Sequence, residues 1–475
     1  MLGNVFKAYD VRGVYPSPLT DKMAWQIGYG ASRFLREDAQ KAGKTHPMMG
    51  YIVVGRDMRQ SSPTLEAELC DGITDEGGNV IRVGLVDTPF IYFAINTLDC
   101  AGGIQVTASH NPPEYNGFKI SKRRAKPVGK DSGLDDIREL SAMARPDRHK
   151  AEASEKGRVE ERDLWDAYIG HVRRFLDEGA LAKRPLKVVV DASNGMAGTA
   201  VPRIFGRGGG DVEGLEIIEM HFDNAKGEFA HEPNPLSAAA IAELRERVVS
   251  EGADCGVCFD GDADRCVLID ERGEAVGCDL MTAWLSRRFL EASPGAAVVY
   301  DLRSSRAVEE EIRAAGGTPV KGRVGHVFLK RALADHGGVF GGELSGHFYF
   351  RDNFNADSGV IAMASALSEL SRSGRPLSEL IAPIARYAQS GERNFEVEDK
   401  EGALAEIRRA YAGRGEIDDL DGVTVDCFQS EGWWANIRMS NTEPLLRLNL
   451  EARDRALCER MVEEIAPMLG EPAAH

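Results

Sequence analysis

The sequence predicts an α/β protein: three α/β domains with mixed or parallel sheets, followed by a smaller C-terminal α+β domain. Three observations lead there. At 475 residues the chain is too long for one compact core, and three or four domains of ordinary size are expected. Short β-branched runs that end in Gly or Asp recur, as Ile52-Val53-Val54-Gly55, Val188-Val189-Val190-Asp191 and Val298-Val299-Tyr300-Asp301, and each reads as a buried strand. Near the C-terminus the texture changes, because Leu446, Leu448 and Leu450 alternate with Arg447, Asn449 and Glu451, the pattern of a half-exposed strand.

The β-branched runs are followed by helix-like segments, at 61–77 after the first and 304–315 after the third, which is the alternation of βαβ units and a weak internal repeat. A final helix near 454–468 would cover the apolar face of the alternating strand. Residues 144–162 are polar, with part readable as a solvated helix, and Ser371-Arg372-Ser373-Gly374-Arg375-Pro376 reads as a turn before the last unit. The expected domains are therefore 1–155, 156–255, 256–370 and 371–475.

Composition excludes several classes of function. Against 58 Lys and Arg stand 75 Asp and Glu, and a net charge of -17 argues against a general grip on nucleic acid or on an anionic membrane surface. An anionic small molecule can still bind where basic side chains gather locally. Eight Cys scattered through apolar runs do not read as a disulfide framework and fit a reducing cytoplasm. Lys7, Asp10 and Arg12 stand where a secretory signal would need an apolar core, and no run is long enough for a transmembrane helix.

Four segments carry chemistry. Thr107-Ala108-Ser109-His110-Asn111-Pro112-Pro113 follows the apolar strand Gly103-Ile104-Gln105-Val106; its small neighbours let Ser109 stand clear, and His110 and Lys119 are expected to add positive character to a nucleophile. A polar turn with a capping serine is the competing reading. In Asp260-Gly261-Asp262-Ala263-Asp264-Arg265, between Val257-Cys258-Phe259 and Val267-Leu268-Ile269, three alternate carboxylates can converge on one hard cation. An EF-hand loop begins this way, with Glu271 at its twelfth position, but Arg265 stands where that loop needs glycine and the flanks read as strands. Magnesium is the preferred ion, a solvated acidic turn the alternative. Gly341-Gly342-Glu343-Leu344-Ser345-Gly346-His347 could present a carboxylate, a hydroxyl and an imidazole to sugar hydroxyls, or be a plain glycine-rich turn. Arg438-Met439-Ser440-Asn441-Thr442-Glu443-Pro444 groups a guanidinium, two hydroxyls and an amide, donors suited to a phosphate monoester but also common in turns.

In this order and spacing, together with Lys7-Ala8-Tyr9-Asp10-Val11-Arg12-Gly13 and Asn116-Gly117-Phe118-Lys119, these segments resemble the α-D-phosphohexomutase family, in particular its bacterial phosphomannomutase/phosphoglucomutase branch, over essentially the whole chain. The resemblance implies four domains around a central cleft and an enzyme interconverting hexose 1-phosphate and hexose 6-phosphate, with mannose or glucose as the sugar and glucosamine as runner-up. It implies Ser109 as the phosphoserine, with Asp260, Asp262 and Asp264 holding Mg2+ together with a phosphoserine oxygen. Arg12, His110, Lys119 and Arg265 would serve the transferring group, and His347 or Lys119 would assist proton transfer. Tyr9, Arg303, His326, Glu343 and Ser345 would read the substrate, while Arg438, Ser440, Asn441 and Thr442 would grip the phosphate not being transferred. Hexose 1,6-bisphosphate is implied as intermediate and activator, small hexose phosphates as the partners, and a monomer or weak homodimer as the working form. Asp301-Leu302-Arg303 departs from the branch, which carries lysine where Arg303 stands, so a point charge becomes a planar fork.

Rival classes fare worse. Ala42-Gly43-Lys44-Thr45 resembles the end of a Walker A loop, but Asp38 stands where the leading glycine belongs. Gly28-Tyr29-Gly30 lacks a third glycine at Arg33 and sits in a helical pattern, against a dinucleotide fold. Cys255 and Cys258 would point to opposite faces of a strand, against a zinc site. A non-catalytic sugar-phosphate binder need not keep both the serine and the acidic loop, and a phosphatase would differ by releasing phosphate.

Overall fold

The computed structural model describes residues 2–41, 46–206, 210–440 and 445–473. The chain forms two units, one of residues 1–277 with 345–378, the other of 278–344 with 379–475.

The first unit contains two sheets. In the first, Tyr51–Arg56 lies between the parallel strands Asn79–Leu85 and Gly102–Val106, and the antiparallel strands Tyr115–Lys122 and Val11–Val14 continue it. The short strand Val159–Glu161, in the polar stretch read as a joint, pairs with Asn79–Leu85. Helices Asp21–Lys41 and Ser62–Asp75 cross one face at close range. Glycine permits the approach: a Cβ at Gly28 would stand 2.1 Å from the Leu69 carbonyl oxygen, and one at Gly30 would stand 2.4 Å from Ser141 Oγ on a third helix, Leu134–Met143. The glycine pair that superficially suggests a nucleotide loop thus serves helix packing, as its helical setting predicts.

In the second sheet, Leu186–Asp191 pairs in parallel with Leu215–Met220 and with Cys255–Phe259, and Cys266–Asp270 closes it antiparallel. Phe259 and Cys266 face each other in register, so residues 260–265 form the turn of a buried hairpin. The hairpin Phe348–Phe350 with Ala356–Asp357 and the buried helix Gly359–Ser373 complete this unit.

In the second unit, Ala297–Asp301 lies between Thr318–Gly322 and Phe340–Gly342, all parallel. An antiparallel sheet follows, in the order Glu416–Asp418, Val423–Asp426, Trp433–Met439, Leu445–Ala452, Ala388–Glu396, Glu471–Pro472. Helix Arg455–Ile465 buries Cys458, Met461 and Ile465 in the core of this sheet. Leu446, Leu448 and Leu450 are buried as their alternation predicts, but Asn449 and Glu451 are buried too. The strand is therefore not half-exposed: Glu451 accepts from Trp434 Nε1 at 2.9 Å and from the Arg306 backbone at 2.9 Å, which satisfies a carboxylate on the face expected to meet solvent. Among the described residues no helix is long and apolar enough to cross a membrane, and all eight cysteines are buried and free.

Candidate active site

The serine loop leaves the C-terminal end of strand Gly102–Val106, the edge of an open α/β sheet where ligands gather. Ser109 takes a left-handed φ of 52°, unusual for a residue with a Cβ, and its amide is held by Thr107 Oγ1 at 3.0 Å. The loop is fixed from beneath by Arg59. This wholly buried guanidinium donates to the carbonyl oxygens of Ser109, Asn111, Pro112 and Tyr115 at 2.6–2.9 Å and to Asp57 at 3.0 Å. One rigid fork thus satisfies four carbonyls of an irregular loop. Arg12, paired across strands with Gly117, bonds Asn111 Oδ1 and Asp10, and Tyr9 lies half-buried in the bend before its strand.

The hairpin turn 260–265 brings its carboxylates to this serine. Ser109 Oγ donates to Asp260 Oδ2 at 3.1 Å and accepts from Arg265 at 3.3 Å. Asp260, Asp262 and Asp264 are buried, and each offers an oxygen within 4.8 Å of the others. Asp262 Oδ2 accepts from Thr88 Oγ1 at 2.6 Å and from Lys119 Nζ at 2.7 Å, whereas its Oδ1 has no hydrogen-bond partner among the described residues. Lys119 also reaches Asp264 at 2.6 Å. His347 Nε2 lies 3.4 Å from Asp264, and Ser345 Oγ 2.8 Å from His347 Nδ1.

Three carboxylates in a dry turn repel, and Asp260 carries the strain: burial first, then Asp264 and Asp262, push its carboxyl well above the usual range. Burial would raise Asp264 too, but Lys119, His347 and Arg265 outweigh it and hold that group well below. Burial works against the Lys119 charge, yet Asp262 and Asp264 overcome it and keep the ammonium on. Three hard oxygen donors, one of them an unpartnered buried oxygen, fit a divalent cation such as Mg2+. The positive character expected of His110 is not found. Arg265 first, then burial, Arg12 and Lys119 hold its imidazole well below the ordinary value, so it is neutral, with Nδ1 accepting from Arg265 and 3.4 Å from Ser109 Oγ.

The second unit gathers a separate cationic group. Arg303 is clamped on Asp301, with Nε at 3.0 Å, and reaches Glu392 at 3.1 Å. Arg438 and Arg447 face each other across adjacent strands, a repulsive pairing, and both turn to Glu392, at 3.5 and 2.6 Å. Burial opposes the Glu392 charge, but Arg303, Arg447 and Arg438 prevail and depress its carboxyl. Glu343 is buried and accepts from the Gly325 amide at 3.0 Å, beside His326 at the start of helix His326–Asp335. The Ser440 amide donates to the Leu445 carbonyl at 2.9 Å. Asn441 and Thr442 lie outside the described residues, as does the Walker-like segment 42–45.

Ser109, His110, Lys119, Arg265, His347 and the three aspartates are thus brought together from four separated stretches of sequence. Sequence reasoning missed Arg59, Glu392 and Arg447. A buried-pair signal existed for Arg59 in the spacing Asp57-Met58-Arg59; Glu392 and Arg447 meet only through strand pairing.

Four family models match in chain order: the α/β/α domains I, II and III of phosphoglucomutase/phosphomannomutase over residues 3–144, 166–273 and 278–387, and the C-terminal domain over 392–468. Fold and comparisons together define a hexose phosphate mutase, an enzyme of phosphoryl transfer. The chain is 36% identical to the phosphomannomutase of Escherichia coli strain K12, over 98% of this chain and 99% of that protein. It is also 36% identical to the phosphohexose mutases of Xanthomonas campestris strain B100, over 98% of each. A solved structure, a phosphoglucomutase/phosphomannomutase family protein from Burkholderia thailandensis, superposes with a TM-score of 0.84 at 29% identity, over 98% of this chain and 96% of that one. The chain belongs to the phosphoglucomutase/phosphomannomutase family.

Proposed function

We propose that this mutase interconverts the 1- and 6-phosphates of mannose, glucose or both, through a phosphorylated Ser109 and a hexose 1,6-bisphosphate intermediate that also serves as activator. The observation that carries this reading is the hydrogen bond from Ser109 Oγ to Asp260, within a buried turn of three carboxylates and beside Arg265. Asp260, Asp262 and Asp264 would hold Mg2+ with a phosphoserine oxygen, and the ion would neutralise charge on the transferring phosphoryl group.

The residues divide the work by charge and position. The phosphoryl group passes from Ser109 Oγ to the free hydroxyl of the hexose phosphate, and Arg12 and Arg265 offset the charge spread over its oxygens. Lys119 is held protonated by Asp262 and Asp264. As the sugar hydroxyl forms its new P–O bond it gives up a proton, and as the Ser109 Oγ–P bond breaks that oxygen takes one up; His347 or Lys119 would assist this exchange, and in the return transfer the two oxygens swap roles. Neutral His110 keeps the Arg265 guanidinium aimed at Ser109. Glu343, Ser345, His326 and Tyr9 would bind sugar hydroxyls, and Arg303, Arg438, Ser440, Asn441 and Thr442 the second phosphate. Eight buried thiols without a disulfide support work in a reducing cytoplasm, and the expected working form is a monomer or weak homodimer.

Phosphorus NMR with Mg2+ and a trace of sugar bisphosphate, offered mannose, glucose and glucosamine 1-phosphates separately, tests the reading. Conversion of the first two to 6-phosphates is expected, with no phosphate incorporated into Ser109→Ala protein. Preferential turnover of the glucosamine compound would move the sugar assignment, and free inorganic phosphate as product would overturn the mutase cycle.

A further inference from the structure

We infer that Asp191, His221 and His231 form a second metal site, separate from the aspartate turn, that takes a divalent transition ion of the zinc class. The three come from the C-terminal edge of the second sheet: Asp191 ends strand Leu186–Asp191, His221 immediately follows the adjacent strand Leu215–Met220, and His231 lies on the loop beyond. Asp191 is fully buried. Its Oδ1 lies 3.1 Å from His221 Nδ1 and its Oδ2 lies 3.0 Å from His231 Nε2. All three ligand atoms fall within 4.8 Å of one another. Ligands about 2.0–2.1 Å from a tetrahedral zinc stand about 3.3 Å apart, so small side-chain shifts would admit the ion.

The surroundings of the imidazoles suit an ion as well. His231 Nδ1 faces the Glu232 carbonyl oxygen at 2.8 Å, and its Nε2 faces Asp191. His221 Nδ1 faces the other Asp191 oxygen, while its Nε2 lies 3.6 Å from the Glu243 carboxylate, beyond hydrogen-bond reach. His231 thus meets an acceptor at each nitrogen, which a ring that is protonated or bound to a metal satisfies and a neutral one with its single N–H does not. A cation seated between the two inner nitrogens and Asp191 would use both rings and the buried carboxylate at once, with His231 Nδ1–H donating to the Glu232 carbonyl in the outer-shell pattern of metal-ligating histidines.

Two imidazoles and a carboxylate suit zinc, cobalt or nickel, while magnesium prefers the all-oxygen turn. The histidines are partly exposed, side chains 25% and 20%, which leaves an open side for entry and for a water as fourth ligand. The loop after Asp191 also braces the aspartate turn: Ser193 Oγ donates to the Phe259 carbonyl at 2.9 Å and the Met196 amide to that of Gly261 at 2.9 Å. An ion here would be a structural brace behind the candidate active site, not a participant in phosphoryl transfer.

The test is metal content and spectroscopy, independent of any activity. Chelator-stripped full-length protein in excess Mg2+ is titrated with Zn2+ and, separately, Co2+. One Zn2+ per chain is expected, with visible absorption from bound Co2+, and affinity at least tenfold weaker in His221→Gln and His231→Gln but unchanged in Asp262→Asn. X-ray absorption of the zinc-loaded unmodified protein should show two imidazoles, a readout that stands even if a variant does not fold. An oxygen-only shell, no zinc retained in Mg2+, or loss of zinc in Asp262→Asn with both histidine variants binding normally would each overturn the assignment.

Discussion

Arg59→Met is the sharpest perturbation available to the serine loop. The side chain is buried over its whole length, its nitrogens meet four loop carbonyls and Asp57, and its guanidinium lies 4.9 Å from the Phe229 ring centroid. Removing one partner of a buried ion pair costs about 3–5 kcal/mol, because the remaining charge stays buried and unpaired. Here Asp57 keeps only the Arg59 amide and Ser62 Oγ as donors. At about 2–4 °C per kcal/mol for a domain of ordinary size, the first domain should melt roughly 6–20 °C lower. Four carbonyls also lose their donor, so the loop should open locally: amide exchange in 108–116 should accelerate more than in the strand Tyr51–Arg56. Labelling of Ser109 from a sugar bisphosphate, followed by intact mass, should slow together with that exchange. Arg59→Lys keeps the charge near Asp57 without the planar fork, and should recover stability better than labelling. A folded Arg59→Met protein with unchanged exchange in 108–116 and unchanged labelling would refute the argument that this fork sets the loop.

Two further outcomes follow from other buried carboxylates. Asp87 caps helix Thr88–Leu98 and accepts from Tyr168 at 3.0 Å, but burial lifts its carboxyl from 3.8 to about 7. A carboxyl raised by folding contributes stability that is full below the unfolded value and is lost as pH rises through the folded one. Asp87→Asn should therefore gain on the native protein by about 2–3 kcal/mol between pH 5 and pH 8; melting curves separated by a constant gap across that range would sink this reading. Glu392→Gln removes the anion from between Arg303, Arg438 and Arg447. It should destabilise the second unit by about 1–3 kcal/mol in low salt, and inorganic phosphate should raise its melting temperature more than that of the native protein. Equal shifts for both would mean that these arginines do not form an anion site.

What was legible in the sequence is what lies close together in it. Asp260, Asp262, Asp264 and Arg265 occupy a single turn, and Ser109 with His110 another, so their spacing marked them as candidates and the family resemblance implied their roles. Arg59 acts on residues about 50 positions away through a buried fork, a contact that no periodicity encodes. Glu392 and Arg447 meet because Ala388–Glu396 pairs with Leu445–Ala452. Burial on the second face of Leu445–Ala452 went unread for a related reason: Asn449 and Glu451 look solvent-facing, and for Glu451 the donors that make burial possible come from Trp434 and Arg306, far off in sequence. His110 failed differently. Its residue type suggested a cation, but three nearby cations and burial settle its charge, and those neighbours come from Arg265, Arg12 and Lys119.

The same accounting of charge explains how an acidic chain handles an anionic substrate. Its site cations are not left bare: Lys119 lies on Asp262 and Asp264, Arg265 beside Asp260, and Arg303, Arg438 and Arg447 on Glu392. An incoming phosphate at the arginine group would thus replace a carboxylate already in position, so binding exchanges one anion for another instead of neutralising exposed positive charge. The gain comes from a phosphate's extra charge and additional acceptor oxygens over a single carboxylate, which three guanidiniums can use and one glutamate cannot saturate. Such an exchange would give modest affinity, as the proposed cycle requires of a clamp that releases and regrips either end of a bisphosphate.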